Sequence, residues 1–376
     1  MCDEEICLIP KTLTGQVLQI RVPKNRFAPR HLVLLCLAAC STTKMQHVPE
    51  KGSLHAGNAP QAEAGATPND AGIPDAEVPL TRSWSHDVLR SALPGVACDD
   101  AQSCLREAFA EDRESLQLAL KLLGRYDSLT GVEPAQTMDG GFRGAIQLVP
   151  TLPVGADRRY LLWVDSALSD FAVWKTRLSG SSISDVGATQ TPLSYRSDQI
   201  LFRFMRSVGR TTPSAWATTD PVWSIAINVR GSLLKNEDAF RETLFHELFH
   251  LHDQTHNDWS SRTLTKLHEE IQSECGMTSR ATNEQKNACL TKFAPGTTKV
   301  RGGIYYAFQP NNGVNVREYA AELALRFYLE HRKLQRGEPI AAPFKCAHAR
   351  NQRAWSLLSQ EFFGGIDRVS CTNDPK

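Results

Sequence analysis

His246, Glu247 and His250 stand together in the stretch Arg241 to Asp253, RETLFHELFHLHD. Residues i and i+4 of an α-helix lie on one face, one above the other, so the two imidazoles can converge on a single divalent ion. Glu247 sits one position round and can reach a water on the ion's open side. Two histidines holding a metal beside a free carboxylate are the equipment for hydrolysis by an activated water. Phe240, Leu244, Phe245, Leu248, Phe249 and Leu251 make the surrounding helix apolar. Two imidazoles and a carboxylate are costly to bury there without partners, and a metal ion supplies one.

The pattern His246-Glu247-Leu248-Phe249-His250 resembles the H-E-x-x-H motif of the zinc metallopeptidases known as zincins. The resemblance implies Zn²⁺ on His246 and His250, with Glu247 as general base. A catalytic zinc takes three protein ligands and keeps one position open, and two residues compete for the third place. His256 completes H-E-x-x-H-x-x-x-x-x-H, a spacing similar to that of the metzincins, with Met277 available as a Met-turn. That family has Gly where Asp253 stands, because its helix must break there, and Asp adopts a left-handed conformation less easily. Glu318 is the rival. Val316 to Glu330, VREYAAELALRFYLE, is helical by composition and period. Glu318 and Glu322 fall at i and i+4, on one face of that helix. This resembles the downstream E-x-x-x-E of the gluzincins, and E-Y-A-A-E is similar to the E-F-F-A-E of lethal-factor-like toxin peptidases. The resemblance implies Glu318 as zinc ligand and Glu322 as the group that orients a ligand histidine, a partner such histidines nearly always have. It favours Glu318 over His256. Tyr305 or Tyr306, a short way upstream, is then the expected hydrogen-bond donor to a developing oxyanion, with Tyr306 preferred.

The elements that must position these groups are an α+β set. Leu105 to Leu123 has helical spacing. Phe142 to Val149 and Arg159 to Asp165 read as strands, with a helix over Ser166 to Leu178. Gln199 to Val208 and Val222 to Val229 are further strands. Gly231 breaks the pattern, and Asn236-Glu237-Asp238 offers a cap for the histidine helix. By the zincin resemblance, Trp223 to Arg230 is the edge strand that lines the substrate cleft and pairs with an extended peptide. A helix over about Ser261 to Ser273 and a last one over Ala347 to Phe362, carrying Trp355 and Phe362, complete a mainly helical C-terminal part.

The chain has 376 residues, 41% of them apolar, enough for one large core. A net charge of +1 gives no electrostatic argument for nucleic acid. Lys24, Arg26 and Arg30 precede the short apolar run His31 to Ala39, which reads as an export signal too short to span a bilayer. Leu37-Ala38-Ala39-Cys40 resembles the bacterial lipobox, which implies lipidation at Cys40; Ser41 behind it favours the outer membrane. The first 21 or so residues are unusual before such a signal and fit a start nearer Val22. The division is therefore 1–39 signal, 40–84 flexible linker rich in small and polar residues, and 85–376 catalytic domain. Cys98, Cys104, Cys275, Cys289, Cys346 and Cys371 remain for the exported part. The nearest-neighbour pairing, Cys98–Cys104, Cys275–Cys289 and Cys346–Cys371, closes three short loops.

These readings give a zinc-dependent peptidase of the cell envelope acting on a peptide or protein. The competing class is a zinc-stabilised binding or scaffolding lipoprotein without turnover. Glu247 argues against it, since a structural zinc needs no general base.

Overall fold

The computed structural model describes residues 84–139, 144–180, 193–299, 303–309 and 315–371. The export signal, Cys40 and the linker lie outside the described residues. The domain opens with three helices, α1 (His86–Ala92), α2 (Ala101–Ala108) and α3 (Arg113–Tyr126). The period from Leu105 to Leu123 predicts one helix, but the chain makes two. Asp112 accepts from the Ser115 backbone N–H at 3.0 Å, capping a fresh start within the apolar pattern.

One mixed sheet of six strands follows, with a long helix inserted. Its strands are β1 (Leu129–Val132), β2 (Gln136–Asp139), β3 (Ala145–Pro150), β4 (Leu201–Ser207), β5 (Ala215–Thr218) and β6 (Ser224–Asn228). The order is β2-β3-β4-β6-β5, with β1 also on β4. β4 runs parallel to β1 and β6, and β5 closes the sheet antiparallel to β6. Trp223 to Arg230 is therefore not an edge. Every residue of β6 is buried, and it pairs on both sides. The strand at that edge is β5, too short to stand out in the sequence.

Arg159 to Asp165 is helix, not strand. It opens α4 (Arg159–Gly180), which also absorbs the helix expected from Ser166. Tyr160, Leu161, Val164, Ala167, Leu168, Phe171 and Trp174 are buried at helical spacing. A window of seven residues, rich in Tyr, Leu and Trp, hides that longer period.

β6 leads through a short turn into α5 (Glu237–Thr255), whose N-cap Asn236 accepts from the Ala239 N–H at 2.9 Å. Beyond it come α6 (Trp259–Thr263), α7 (Thr265–Glu274), α8 (Asn283–Leu290), α9 (Asn315–Gln335) and α10 (Ala349–Phe362). Phe245 of α5 is the hub between the long helices. It stacks on Tyr328 of α9 at 4.4 Å and meets Phe171 and Trp174 of α4 edge-on at 5.2 and 5.8 Å. Aromatic pairs of this kind add about 0.5–1.5 kcal/mol each beyond the area they bury. Arg332 of α9 pairs with Asp170 of α4 at 3.0 Å, a second tie between the same helices. Trp355 and Phe362 are fully buried, as their helix predicts.

The three disulfides are Cys98–Cys104, Cys275–Cys289 and Cys346–Cys371, with Cα separations of 5.1, 5.4 and 5.3 Å. Such bonds persist in oxidising, exported environments. Among the described residues, no helix is long and apolar enough to cross a membrane.

Candidate metal centre

Phe245 faces the core, so the next residues of α5 turn its polar stripe toward α9. His246, Glu247 and His250 are all buried there, with 5–8% of each exposed. Glu318 and Glu322, one turn apart on α9, face them and are equally buried. Nε2 of His246 lies 3.1 Å from Nε2 of His250 and 3.1 Å from Oε2 of Glu318, and the third side of the triangle is 3.6 Å. Zinc bonds of about 2.0–2.1 Å in a tetrahedron set ligand atoms about 3.3 Å apart. The three atoms thus have the chemistry and the spacing to hold a metal ion.

The electrostatics point the same way. Burial works against a charged His246, yet the hydrogen bond and charge of Glu318 outweigh it and raise its proton affinity. Burial also works against a charged Glu318, and His250 and His246 overcome it, holding the carboxyl below the usual range. The two imidazoles and the carboxylate together favour a positive charge between them, which a metal ion could supply. Glu322 stands behind His246, its Oε1 3.6 Å from Nδ1, the nitrogen turned away from the other ligands. Burial raises the Glu322 carboxyl. Glu247 is raised by burial too, and it makes no hydrogen bond or ion pair with any described residue. A buried, unpartnered carboxyl whose proton affinity is raised is chemically equipped to act as a base.

His256 is absent from this cluster. Its Nδ1 donates to Glu361 at 2.7 Å on the far side of the helix end. Asp253 does not break the helix either. α5 continues to Thr255, and the buried Asp253 carboxylate accepts from the backbone N–H and hydroxyl of Ser260 at 2.7 and 2.6 Å. The metzincin-like spacing is thus present in the sequence without its geometry.

The two tyrosines separate. The hydroxyl of Tyr305 lies 3.1 Å from that of Thr291, away from the cluster. Tyr306 begins a 3-10 turn, Tyr306–Phe308, with its ring 6.1 Å from that of His246. His268, hydrogen-bonded to the Ala307 carbonyl at 3.0 Å and stacked on Phe308, holds that turn in place. A cavity of about 140 Å³ opens between α5, the start of β5 and this turn, and His246, Glu247, Tyr306 and Glu322 line it.

Two participants escape the sequence reading. Gly296 has no side chain because the Glu322 carboxylate occupies the place of one: an added Cβ would overlap Oε2 and stand 2.9 Å from Cδ. Nothing local marks that long-range approach. Glu242 lines the same cavity one turn before His246, and its i, i+4 relation to that histidine was the available signal.

No protein-family model matches the chain, and comparison with curated proteins and with solved structures also finds no match. The functional reading rests on this geometry.

Proposed function

We propose that the protein is a zinc-dependent peptidase of the zincin type, exported and held by a lipid at Cys40 on the outer membrane. The observation that carries the reading is a triad of convergent ligand atoms on His246, His250 and Glu318, with His246 opening on a cavity that an unpartnered buried carboxylate, Glu247, also lines. Zinc on His246, His250 and Glu318 would supply Lewis acidity to a peptide carbonyl and acidity to a water. Glu247 takes the proton of that attacking water and returns it to the leaving nitrogen. The Tyr306 hydroxyl donates to the oxyanion that develops as the carbonyl is attacked. Glu322 receives the Nδ1–H of His246 and keeps Nε2 directed at the ion. The strand edge at β5 is the natural place for an extended substrate backbone to pair.

The test uses the full chain loaded with zinc, a mixture of unstructured peptides, and Glu247→Gln. The parent cleaves, and the variant loses about 10²–10⁴ in turnover while retaining its zinc. A parent that holds one zinc per chain and cleaves nothing leaves a zinc-stabilised binding protein. A folded parent that takes up no zinc removes the peptidase reading altogether.

A further inference from the structure

The cavity beside the metal ligands carries a charge pattern of its own. Its ionisable side chains besides His246 and Tyr306 are Glu242, Glu247 and Glu322, and no lysine or arginine among the described residues lines it. Two of these carboxylates have other work: Glu322 faces His246, and Glu247, buried and unpartnered, lines the cavity beside His246 and is the base of the proposed reaction. Glu242 is different. It is exposed at the mouth and makes no hydrogen bond or ion pair with any described residue. Arg241 and Arg332 lie close enough for their charges to act on it, but neither pairs with it directly. Arg241 is committed to Asp238 at 2.7 Å and Glu237 at 3.6 Å, and Arg332 to Asp170 at 3.0 Å. The lining also includes the apolar side chains of Leu233, Ala239 and Leu325. A ligand group that fits has an aliphatic stem for the apolar wall and a cationic head for the carboxylate, which describes lysine and arginine.

We propose that this cavity receives a lysine or arginine side chain of the substrate, next to the bond that is cut, and that Glu242 determines the preference. The proposal deepens the peptidase reading above and rests on it for the cleavage step. The same carboxylates repel acidic side chains, so selectivity has an excluding arm as well as an attracting one.

Binding is measured first, because it needs no turnover. The zinc-loaded full chain is titrated calorimetrically with three capped five-residue peptides that differ only at the central position: lysine, norleucine or glutamate. The lysine peptide binds about tenfold more tightly than the norleucine peptide at low salt, with glutamate weakest, and the gap narrows as salt screens the mouth. Glu242→Gln brings lysine and norleucine within about twofold at equal zinc content, and Glu242→Lys favours the glutamate peptide. Should either variant fold poorly, the three-peptide ranking on the parent and its salt dependence decide the matter alone. Equal binding of lysine and norleucine by the parent overturns the proposal, as does a lysine preference that survives Glu242→Gln. A mixed peptide library read by mass spectrometry then separates the two readings. Cuts beside basic residues uphold both. Cuts without a basic preference overturn the proposal and leave the peptidase. A lysine preference in binding without any cuts upholds the subsite and removes the peptidase.

Discussion

α5 and its C-cap residue His256 carry two pairs of histidines at i, i+4, and they have opposite fates. His246 and His250 converge on Glu318 and make a charge-demanding cluster. His252 and His256, further along, meet at no common polar group among the described residues and share only the ring of Phe362. His252 is sealed between aromatic rings, stacked on Tyr195 at 4.0 Å, with Nε2 against the backbone of Arg196. His256 is half-buried on Glu361. Helical spacing is identical in the two pairs, so spacing alone does not make a metal site. What differs is the element packed opposite: the first pair meets the carboxylates of α9, the second meets aromatic side chains and the C-terminal helix. The lesson is that a ligand pair becomes a site only when the fold delivers a third donor and a group behind it.

The largest effect comes from breaking that third donor. Glu318→Ala removes one corner of a buried triangle and leaves two imidazoles without a counter-charge. The loss in zinc affinity exceeds the 10- to 100-fold that removal of an outer partner costs, and zinc content after dialysis falls toward zero. His256→Ala keeps its zinc. Metal analysis of the two variants beside the parent checks both, and retention by Glu318→Ala with loss by His256→Ala would reverse the assignment.

A smaller effect tests the support behind the ligands. Gly296→Ala places a methyl where the Glu322 carboxylate lies. That carboxylate ends a flexible side chain, so it swings aside at little cost to the fold, and His246 loses the partner of its Nδ1. Zinc affinity falls about 10- to 100-fold, the cost of losing such a partner, with thermal stability of the zinc-free protein nearly unchanged. In a Glu322→Ala background the glycine substitution adds almost nothing, because the clash and the partner have both gone. Additive losses in the double variant would disconnect Gly296 from the site.

Much of this was legible in the sequence, for local reasons. The histidine helix, its Asn236 cap, the second acidic helix and the cysteine pairing all follow from short spacings. The choice between Glu318 and His256 was narrowed by Asp253, which has a buried task in accepting from Ser260 rather than in breaking the helix. The failures share a cause in context beyond the window. Arg159 to Asp165 shows its helical period only with the rest of α4, and β5 is four residues long. The burial of Trp223 to Arg230 says nothing of which strand lies outside it. Gly296 answers to a side chain 26 positions away, as the difference between 322 and 296 shows, and no local rule reaches that far.

The smallest effect sharpens the contrast between the two histidine pairs through pH. Burial lowers His252 to about 3 and His331 to about 4, against 6.5 in an unfolded chain. Between those values the unfolded form takes up protons that the folded form refuses, so stability falls as pH drops below 6.5. At pH 5 each group costs about 2 kcal/mol, being 1.5 units below the unfolded value at about 1.4 kcal/mol per unit. His246 runs the other way. Its raised affinity for a proton stabilises the metal-free fold below 6.5, and that contribution is lost as pH rises above it. Zinc takes the proton's place on His246, so loading removes this opposing arm and leaves the acid-side loss of His252 and His331. Melting curves of the zinc-free chain therefore fall as pH rises from 6.5 towards 8.5, zinc abolishes that fall, and the acid-side loss below 6.5 is common to both forms until acid releases the ion from its ligands. Replacing His252 with Phe, which keeps the stack on Tyr195, removes about 2 kcal/mol of the acid-side loss at pH 5. An unchanged slope would mean that His252 is protonated in the fold, and the two histidine pairs would then differ less than their surroundings require.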